Sequence, residues 1–294
     1  MACNSAGVAS ASRVLLMKRH RHPGNKIEMG AGGSGRRNRV AMLSPRAFSA
    51  DLKLELSQRS SPDQVKKEVQ SCYELIQKLG RGAIYLGSSR VKDDHPHYLQ
   101  AVELARDIAT LLECTTWTGA GPGLMDAAIK GALEANKPVG GFKIAKESGE
   151  WSSSNFHPYL PSESYLTCRF FSARKHGLVD AAVRKEPSDM TVVVAFPGGI
   201  GTLDEVFEIL ALIQLDRIGS ELPVPFLLMN YDSFYSKLLE FFHNCEKWGT
   251  VAEGEIASLW RVCNANSEAL EYLANFYSIP QSKRNFGNRE EPRI

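Results

Sequence analysis

A glycine-rich segment between a buried strand and a helix constrains this chain most. It is PGGIGTLDE, residues 197–205. Before it, residues 190–196 are apolar and β-branched, which is typical of a strand buried in a parallel sheet. After it, residues 206–215 are apolar enough to predict a helix packed on that sheet. Such a turn brings backbone N–H groups and a helix N-terminus to one place, which favours an anion-binding site.

The same residues allow a purely structural interpretation. Thr202 and Glu205 have the spacing of a capping box, with Thr202 as the N-cap and Glu205 three residues later. The motif alone leaves both interpretations open, so the other turns of the chain matter.

Two further turns have a similar composition. Residues 83–86 predict a strand that stops at Gly87-Ser88-Ser89, and residues 115–117 predict a strand followed by a turn with glycines at 119, 121 and 123. Small and hydroxyl residues there suit a phosphate or ribose contact, and a simple capped turn is the alternative. The glycine spacing is not that of the dinucleotide-binding GxGxxG fingerprint.

Strands and helices alternate along residues 60–278. Further strands are predicted at 139–144, 224–229 and 259–263, and further helices from 62, at 97–112, after 125, at 234–243 and at 267–276. This alternation predicts a single α/β domain with a doubly wound, Rossmann-like parallel sheet flanked by helices. Ligands bind such sheets at the carboxyl ends of the strands, where all three turns would meet.

Two stretches before the central strand are ambiguous. Residues 165–179 predict a helix buried on one side, with Arg174 and Lys175 on its flank. Adjacent charges usually mark a solvated face, and an anion contact is the alternative. The polar residues 145–163 predict a long loop, which is either a lid or specificity segment or a surface insertion without function.

The termini differ from the body of the chain. Residues 1–50 hold nine Lys and Arg against one Glu, so the formal net charge of +2 becomes negative for the remainder. A negative body argues against nucleic-acid binding. The acid-poor leader, with Arg-Ala-Phe-Ser at 46–49, predicts a mitochondrial or chloroplast transit peptide, and a disordered basic tail on a cytosolic protein is the alternative. Residues 279–294 predict a disordered, charged tail.

Composition excludes some classes of protein. No apolar run approaches the roughly 20 residues that span a bilayer, so we expect no membrane segment. The six cysteines are scattered without a CxxC pair, so we expect buried thiols rather than a zinc site or a disulfide framework.

Taken together, these motifs resemble the Lonely Guy family, the cytokinin-activating nucleoside 5′-monophosphate phosphoribohydrolases often labelled lysine decarboxylase-like. The resemblance covers about residues 80–278. It rests on residues 87–89, on 121–125, on Arg174-Lys175, and on 197–205, which match the family's PGGxGTxxE pattern at every fixed position.

One pair of residues departs from the family pattern. Cytokinin-activating members commonly carry His-Glu before Arg-Lys, whereas this chain has Ser172-Ala173. Its sequence there is more similar to longer bacterial relatives that cleave ordinary purine and pyrimidine monophosphates. The departure concerns the substrate more than the reaction.

The resemblance implies hydrolysis of an N-glycosidic bond to free base and ribose 5-phosphate by a homodimer, without metal or cofactor. An oxocarbenium-like transition state needs a carboxylate and an activated water, and the resemblance implies that Glu205 is this carboxylate. Arg174 would hold the phosphate or the developing negative charge. The other implied substrate contacts are Ser88, Gly119, Gly121, Lys175, Gly198, Gly199, Gly201 and Thr202.

Three hypotheses about the function follow. The first is cleavage of a nucleoside monophosphate, with N6-modified AMP as substrate. The second is a general nucleotide monophosphate nucleosidase, and the third is a non-catalytic nucleotide or cofactor carrier, because some relatives bind a molybdenum cofactor. Decarboxylation through pyridoxal phosphate is disfavoured, because it needs a Schiff-base lysine and the chain has no Ser-x-His-Lys motif.

Overall fold

The computed structural model of the protein describes residues 62–144 and 156–284. All of these belong to one compact unit. The predicted transit peptide, its cleavage site and the linker that follows lie outside the described residues and stay predictions. So do most of the predicted loop 145–163 and the tail beyond residue 284.

A seven-stranded parallel sheet and eight α-helices make up the described part of the chain. The strands are β1 (Gly82–Leu86), β2 (Thr115–Thr118), β3 (Val139–Ile144), β4 (Tyr165–Cys168), β5 (Val192–Ala195), β6 (Phe226–Met229) and β7 (Arg261–Cys263). The helices are α1 (Pro62–Leu79), α2 (Pro96–Leu112), α3 (Leu124–Glu134), α4 (Phe171–Ala182), α5 (Ile200–Gln214), α6 (Ser236–Trp248), α7 (Glu255–Leu259) and α8 (Asn266–Phe276).

The strand order is β4-β3-β2-β1-β5-β6-β7, and neighbouring strands are parallel throughout. The chain therefore winds outward from β1 to β4, returns to the centre at β5, and winds outward again to β7. This confirms the predicted doubly wound α/β fold. The winding reverses between β1 and β5, where Leu86 pairs with Ala195. Ligand sites in such sheets lie at this switch point, beyond the carboxyl ends of the strands.

Helices cover both faces of the sheet. On one face, α2, α3 and α8 pack on alternate strand residues such as Tyr85; on the other, α1, α4 and α5 pack on residues such as Ile84. Side chains of successive strand residues point to opposite faces, so a strand covered on both sides must be apolar throughout. This explains the continuous apolar run at β5. None of the described helices has the length and apolarity needed to cross a bilayer.

The largest difference from the sequence prediction lies at residues 165–179. We predicted one helix there, but residues Tyr165–Cys168 form the edge strand β4 and the helix begins at Phe171. The edge strand is only partly buried, so it lacks the continuous apolar run that identified the central strands. Pairing with β3 supplies its backbone hydrogen bonds.

The start of the predicted disordered tail is ordered, which corrects the prediction for residues 279–284. Ile279 is buried in the core against α8, and Arg284 Nε donates a hydrogen bond to its carbonyl at 2.9 Å. A short 3₁₀ turn lies between them at Gln281–Lys283. Arg284 also donates to Asn275 Oδ1 at 2.9 Å, so an apolar contact and hydrogen bonds to α8 together hold these residues against the domain.

The cysteines agree with the expectation from their spacing. Those that the structure describes are free thiols, and four of the five are buried: Cys72, Cys114, Cys168 and Cys263.

Candidate functional site

Backbone hydrogen bonds hold the three turns together at the switch point. Phe196 N donates to Leu86 O at 2.8 Å, and Ser88 N donates to Pro197 O at 3.1 Å, so pairing continues beyond the ends of β1 and β5. Ser88 O accepts from Leu124 N at 2.9 Å, which joins the same turn to the start of α3. The backbone of Ser88 therefore links the other two turns, while its Oγ accepts from Arg90 N at 3.2 Å, as in a simple serine turn.

Helix α5 begins inside the glycine-rich segment, earlier than predicted. Its N-cap is Gly199, whose carbonyl accepts from Leu203 N at 2.9 Å. Thr202 is thus the third residue of the helix, and the capping-box interpretation of Thr202 and Glu205 is wrong. Because a glycine N-cap has no side chain to accept hydrogen bonds, the first N–H groups of α5 are left for another acceptor.

The glycines of this segment have two different surroundings. Gly199 and Gly201 are exposed, and a Cβ atom at either position would meet no atom within 4 Å. Gly198 is buried, and a Cβ there would lie 2.2 Å from Thr202 Oγ1. Gly199 and Gly201 therefore line the open side of the turn, whereas Gly198 lets Thr202 pack closely beneath it.

Arg174 of α4 and Glu205 of α5 form a buried ion pair. Arg174 Nη1 donates to Glu205 Oε1, and Arg174 Nε donates to Phe142 O of β3 at 2.9 Å. Only 5% of the Arg174 side chain and 10% of the Glu205 side chain are exposed. Among the described residues, none donates a hydrogen bond to the other carboxylate oxygen, Glu205 Oε2. Removing two charges from water is costly, so a buried pair is weak evidence for a stabilising role and is typical of functional sites.

The environment of Glu205 makes its carboxylate unusually basic. Burial raises the pKa of Glu205 above its ordinary value, and the neighbouring Arg174 opposes this rise in pKa. The arginine itself stays charged at any physiological pH. Glu205 is therefore better suited to accept a proton from water than an exposed glutamate is.

The β2–α3 turn approaches Arg174 closely. A Cβ atom on Gly119 would lie 2.1 Å from Arg174 Nη2 and 2.8 Å from Met125 Sδ. Gly121 is buried in the same turn. Gly123 has a φ of +71°, and a Cβ on it would lie 2.3 Å from Ser88 O. Glycine is therefore required here for close packing of the turn against the guanidinium group and the first turn.

Lys175 is held by two carboxylates of α5. Its Nζ lies 2.8 Å from Asp204 Oδ2 and 2.8 Å from Glu208 Oε2. Burial works to lower the Lys175 pKa, but the two neighbouring carboxylates outweigh burial and raise that pKa. A phosphate would have to compete with both acids for this lysine.

The sequence analysis missed a polar cluster beside the β2–α3 turn. The Asp126 carboxylate accepts hydrogen bonds from the hydroxyls of Tyr98 and Tyr159, and its Oδ2 lies 3.1 Å from Lys130 Nζ. Tyr159 belongs to the segment predicted as a long loop, so this contact fastens residues 156–161 to α3. The sequence signal that could have identified this cluster is Asp126, an acid directly after Gly-Leu-Met at 123–125.

Other candidate sites are weaker. In the described ranges, no group of three or more His, Cys, Asp or Glu residues is arranged to hold a metal ion. A cavity of about 350 Å³ lies at the amino ends of β6 and β7, lined by residues such as Pro225, Trp260 and Arg261, on the opposite edge of the sheet from Glu205.

Fold and site together define a doubly wound α/β protein with an anion-accessible turn and a buried arginine–carboxylate pair at its switch point. Residues 125–273 match the model of the family described as possible lysine decarboxylase. Because the match covers half of the chain, the protein belongs to this family. The match confirms the resemblance drawn from the sequence, since Lonely Guy proteins have often been given that label.

Other comparisons are more distant. The molybdenum cofactor carrier protein of Chlamydomonas reinhardtii is 21% identical, with 67% of this chain and 99% of that one covered, at a TM-score of 0.42. The molybdenum cofactor binding protein of Rippkaea orientalis is 16% identical, with 67% and 98% covered, at a TM-score of 0.44. Similarities of this size say nothing about what this chain binds. A comparison with curated proteins gives no significant match.

Proposed function

We propose that this protein hydrolyses the N-glycosidic bond of a nucleoside 5′-monophosphate, releasing the free base and ribose 5-phosphate. The observation that carries the proposal is the buried Arg174–Glu205 pair directly beside the open N-terminus of α5. The Glu205 carboxylate suits a sugar cation and the Arg174 guanidinium suits an anion. Both lie at the carboxyl ends of the strands, where such sheets bind ligands.

Glu205 acts on the sugar and on water. Cleavage builds positive charge on the ribose ring, which a nearby carboxylate stabilises. Arg174 engages Oε1, while Oε2 accepts no hydrogen bond from the described residues, which leaves it to orient a water molecule. The raised pKa of Glu205 helps this oxygen to take the water proton as the new C–O bond forms. The departing base leaves with the electrons of the broken C–N bond.

The glycine-rich turn receives the 5′-phosphate. Gly199 and Gly201 are exposed on its open side, where the first N–H groups of α5 and the helix dipole favour an anion. Gly198 and Thr202 support the turn from beneath. Arg174 adds a fixed positive charge that balances the phosphate or the departing base. Ser88, Gly119 and Gly121 border the other side of the nucleotide.

Our preferred substrate is an N6-modified AMP, so that the reaction activates a cytokinin. Cleavage of ordinary purine and pyrimidine monophosphates is the second candidate. The observation that favours it is Ala173, which is fully buried next to Arg174 where cytokinin-activating relatives carry glutamate. This chain therefore lacks the carboxylate that those relatives carry directly before the arginine.

The family description suggests decarboxylation, but two lysines near the site fit that chemistry poorly. A pyridoxal phosphate enzyme needs an accessible, uncharged lysine amine to form its Schiff base. Two carboxylates pair with Lys175 and raise its pKa although burial opposes the rise, so its amine stays charged. Lys143 in β3 is only 1% exposed, so its amine is not accessible. We therefore route no step through that cofactor.

We also propose that the protein works as a homodimer. Large apolar side chains remain exposed on and around α5 and α6: Ile200, Phe207, Leu215, Phe241 and Trp248. Ile200 is 88% exposed and stands in the glycine-rich turn itself, so a second subunit that covers it would also border the phosphate site. Sedimentation of the purified chain tests this, and a monomer at assay concentration contradicts it.

The test of function is release of free base from a panel of monophosphates. The panel holds isopentenyladenosine monophosphate, AMP, GMP, CMP and UMP, each assayed with the full chain and its Glu205→Gln variant. A preference for the isopentenyl substrate that the variant loses supports cytokinin activation, and cleavage of the whole panel supports the general nucleosidase. If nucleotide binds without any release of base, hydrolysis is wrong and a non-catalytic carrier remains.

A further inference from the structure

A buried tyrosine from the β6–α6 connection reaches the glycine-rich turn. Tyr235 is 2% exposed, and its hydroxyl donates a hydrogen bond to Phe196 O at 2.6 Å. Phe196 is the last residue before Pro197-Gly198-Gly199. Burial raises the Tyr235 pKa, so the hydroxyl keeps its proton and stays a donor to this carbonyl. The hydroxyl therefore contacts the backbone directly before the glycine-rich turn.

Tyr235 is itself fixed by side chains at the carboxyl ends of β6 and β7. Its backbone N–H donates to Asn230 Oδ1 at 2.7 Å. Asn230 is buried, and its Nδ2 donates to Asn264 Oδ1 at 3.1 Å. Its backbone N–H also donates to Cys263 O at 2.7 Å. A continuous hydrogen-bonded chain therefore runs from the two outer strands to the central turn.

The connection adopts an unusual backbone to bring Tyr235 there. Asp232 and Ser233 have φ values of +47° and +60°, a region that residues other than glycine seldom occupy. Such conformations persist only where the surroundings enforce them, and they cluster at functional sites.

We propose that Tyr235 is a positioning residue for the phosphate-binding turn, an inference that rests on the proposed function. The exposed glycines of that turn have no side chains that could pack and hold the turn in place, and glycine is the most flexible residue. The turn must therefore be held from beneath. By engaging Phe196 O, Tyr235 fixes the backbone that leads into the turn and so aims the first N–H groups of α5 before the ligand arrives. Preorganised donors bind an anion more tightly.

Tyr231 supplies a matched control in the same connection. It is as buried as Tyr235, and its hydroxyl donates to Asn266 Oδ1 of α8 rather than to the turn. Removing either hydroxyl deletes one hydrogen bond donated by a buried tyrosine, to a backbone carbonyl for Tyr235 and to an asparagine side chain for Tyr231. Only the loss at Tyr235 releases the backbone of the glycine-rich turn.

The experiment compares Tyr235→Phe, Tyr231→Phe and the wild type as full chains. Two readouts are used: steady-state kinetics on the monophosphate that the wild type cleaves fastest, and binding of ribose 5-phosphate by calorimetry, which needs no turnover. The phosphate is bound equally in the ground state and the transition state, so we expect Tyr235→Phe to raise KM and the ribose 5-phosphate Kd by about tenfold with kcat little changed. Tyr231→Phe should leave both constants at wild-type values.

The outcomes separate this inference from the proposed function. Equal KM and Kd in the two variants overturns the positioning role, whatever the wild type does. A wild type that binds ribose 5-phosphate but releases no base removes the hydrolysis, while a binding loss confined to Tyr235→Phe still supports the positioning role. A wild type that does not bind ribose 5-phosphate overturns both.

Discussion

Arg174 and Glu205 are 31 residues apart in the sequence and share a hydrogen-bonded ion pair beneath the switch point of the sheet. Their helices, α4 and α5, pack on the same face of the sheet. The pair pays a desolvation cost that two apolar residues would avoid. Because a buried pair is weak evidence for a stabilising role, this pair is the first target for mutation.

Replacing Glu205 by glutamine should abolish most of the activity and keep the fold. Glutamine retains an oxygen for Arg174 Nη1 but cannot stabilise a sugar cation or accept a proton, so we expect kcat/KM to fall about 10²- to 10⁴-fold. Thermal unfolding should show a folded protein. Glu208→Gln, which alters an acid on the same helix that pairs with Lys175, is the control and should stay active. Near-normal turnover of Glu205→Gln would return this residue to a structural role.

The pH dependence of kcat/KM should report the raised pKa of Glu205. The proposed mechanism uses the ionised carboxylate, so activity should be lost as the pH falls through the pKa of this group. Because burial raises the Glu205 pKa despite the opposing charge of Arg174, the acid limb should lie above the ordinary carboxylate range of about 4.3. The Glu208→Gln control should leave the limb in place. A profile without a limb above the ordinary range would contradict the proposed role.

Sequence patterns predicted the fold because a doubly wound sheet has strong local signatures. The apolar strands β1 and β5 and the glycine turns after them were recognisable. The resemblance singled out both Glu205 and Arg174, but not the ion pair between them. The edge strand β4 was missed because partial burial weakens its pattern. The capping-box alternative failed because α5 begins at Ile200 and not after Thr202.

Long-range contacts within the site were not predictable in the same way. Lys175 looked like a phosphate ligand, but two acids of α5 engage it, and no local pattern shows which side of α4 meets α5. Tyr235 contacts Phe196 from 39 residues away. Such a contact depends on the path of the β6–α6 connection. Two residues there, Asp232 and Ser233, have positive φ but are not glycines, so the sequence gives no signal of this conformation.

Alanine at Gly201 should weaken binding without harming the fold. No atom lies within 4 Å of a Cβ added at Gly201, and alanine at this position inside the first turn of α5 should even stabilise the helix by up to about 1 kcal/mol. A methyl group on the open side would instead collide with a bound phosphate. We expect Gly201→Ala to raise KM at least tenfold while its unfolding midpoint is unchanged or higher. An unchanged KM would place the phosphate elsewhere.

Alanine at Gly119 should act through Arg174. Its Cβ would lie 2.1 Å from Arg174 Nη2 and 2.8 Å from Met125 Sδ, so the guanidinium group must move. Overpacking of this kind typically costs about 1–3 kcal/mol of stability. We expect kcat to fall together with the free energy of unfolding, measured in urea. This differs from Gly201→Ala, where KM changes and stability does not. Wild-type kcat in Gly119→Ala would show that the position of Arg174 is not critical.

Replacing Arg174 by lysine should lower the activity, although lysine keeps the positive charge. Arg174 binds in two directions, with Nε on Phe142 O and Nη1 on Glu205, and a single ammonium group cannot reproduce that planar geometry. We expect Arg174→Lys to lower kcat/KM about 10²-fold or more, and Arg174→Ala to lose about 3–5 kcal/mol of stability, because Glu205 is then buried without its partner.

Arg184→Lys is the matched control for this substitution. Arg184 also donates in several directions, to the carbonyls of Asp189, Pro187 and Pro223, but it does so on a loop away from the glycine turns. Its replacement should cost stability in urea unfolding and leave kcat/KM unchanged. If Arg174→Lys behaves like Arg184→Lys, the arginine serves the packing of α4 and the catalytic proposal rests on Glu205 alone.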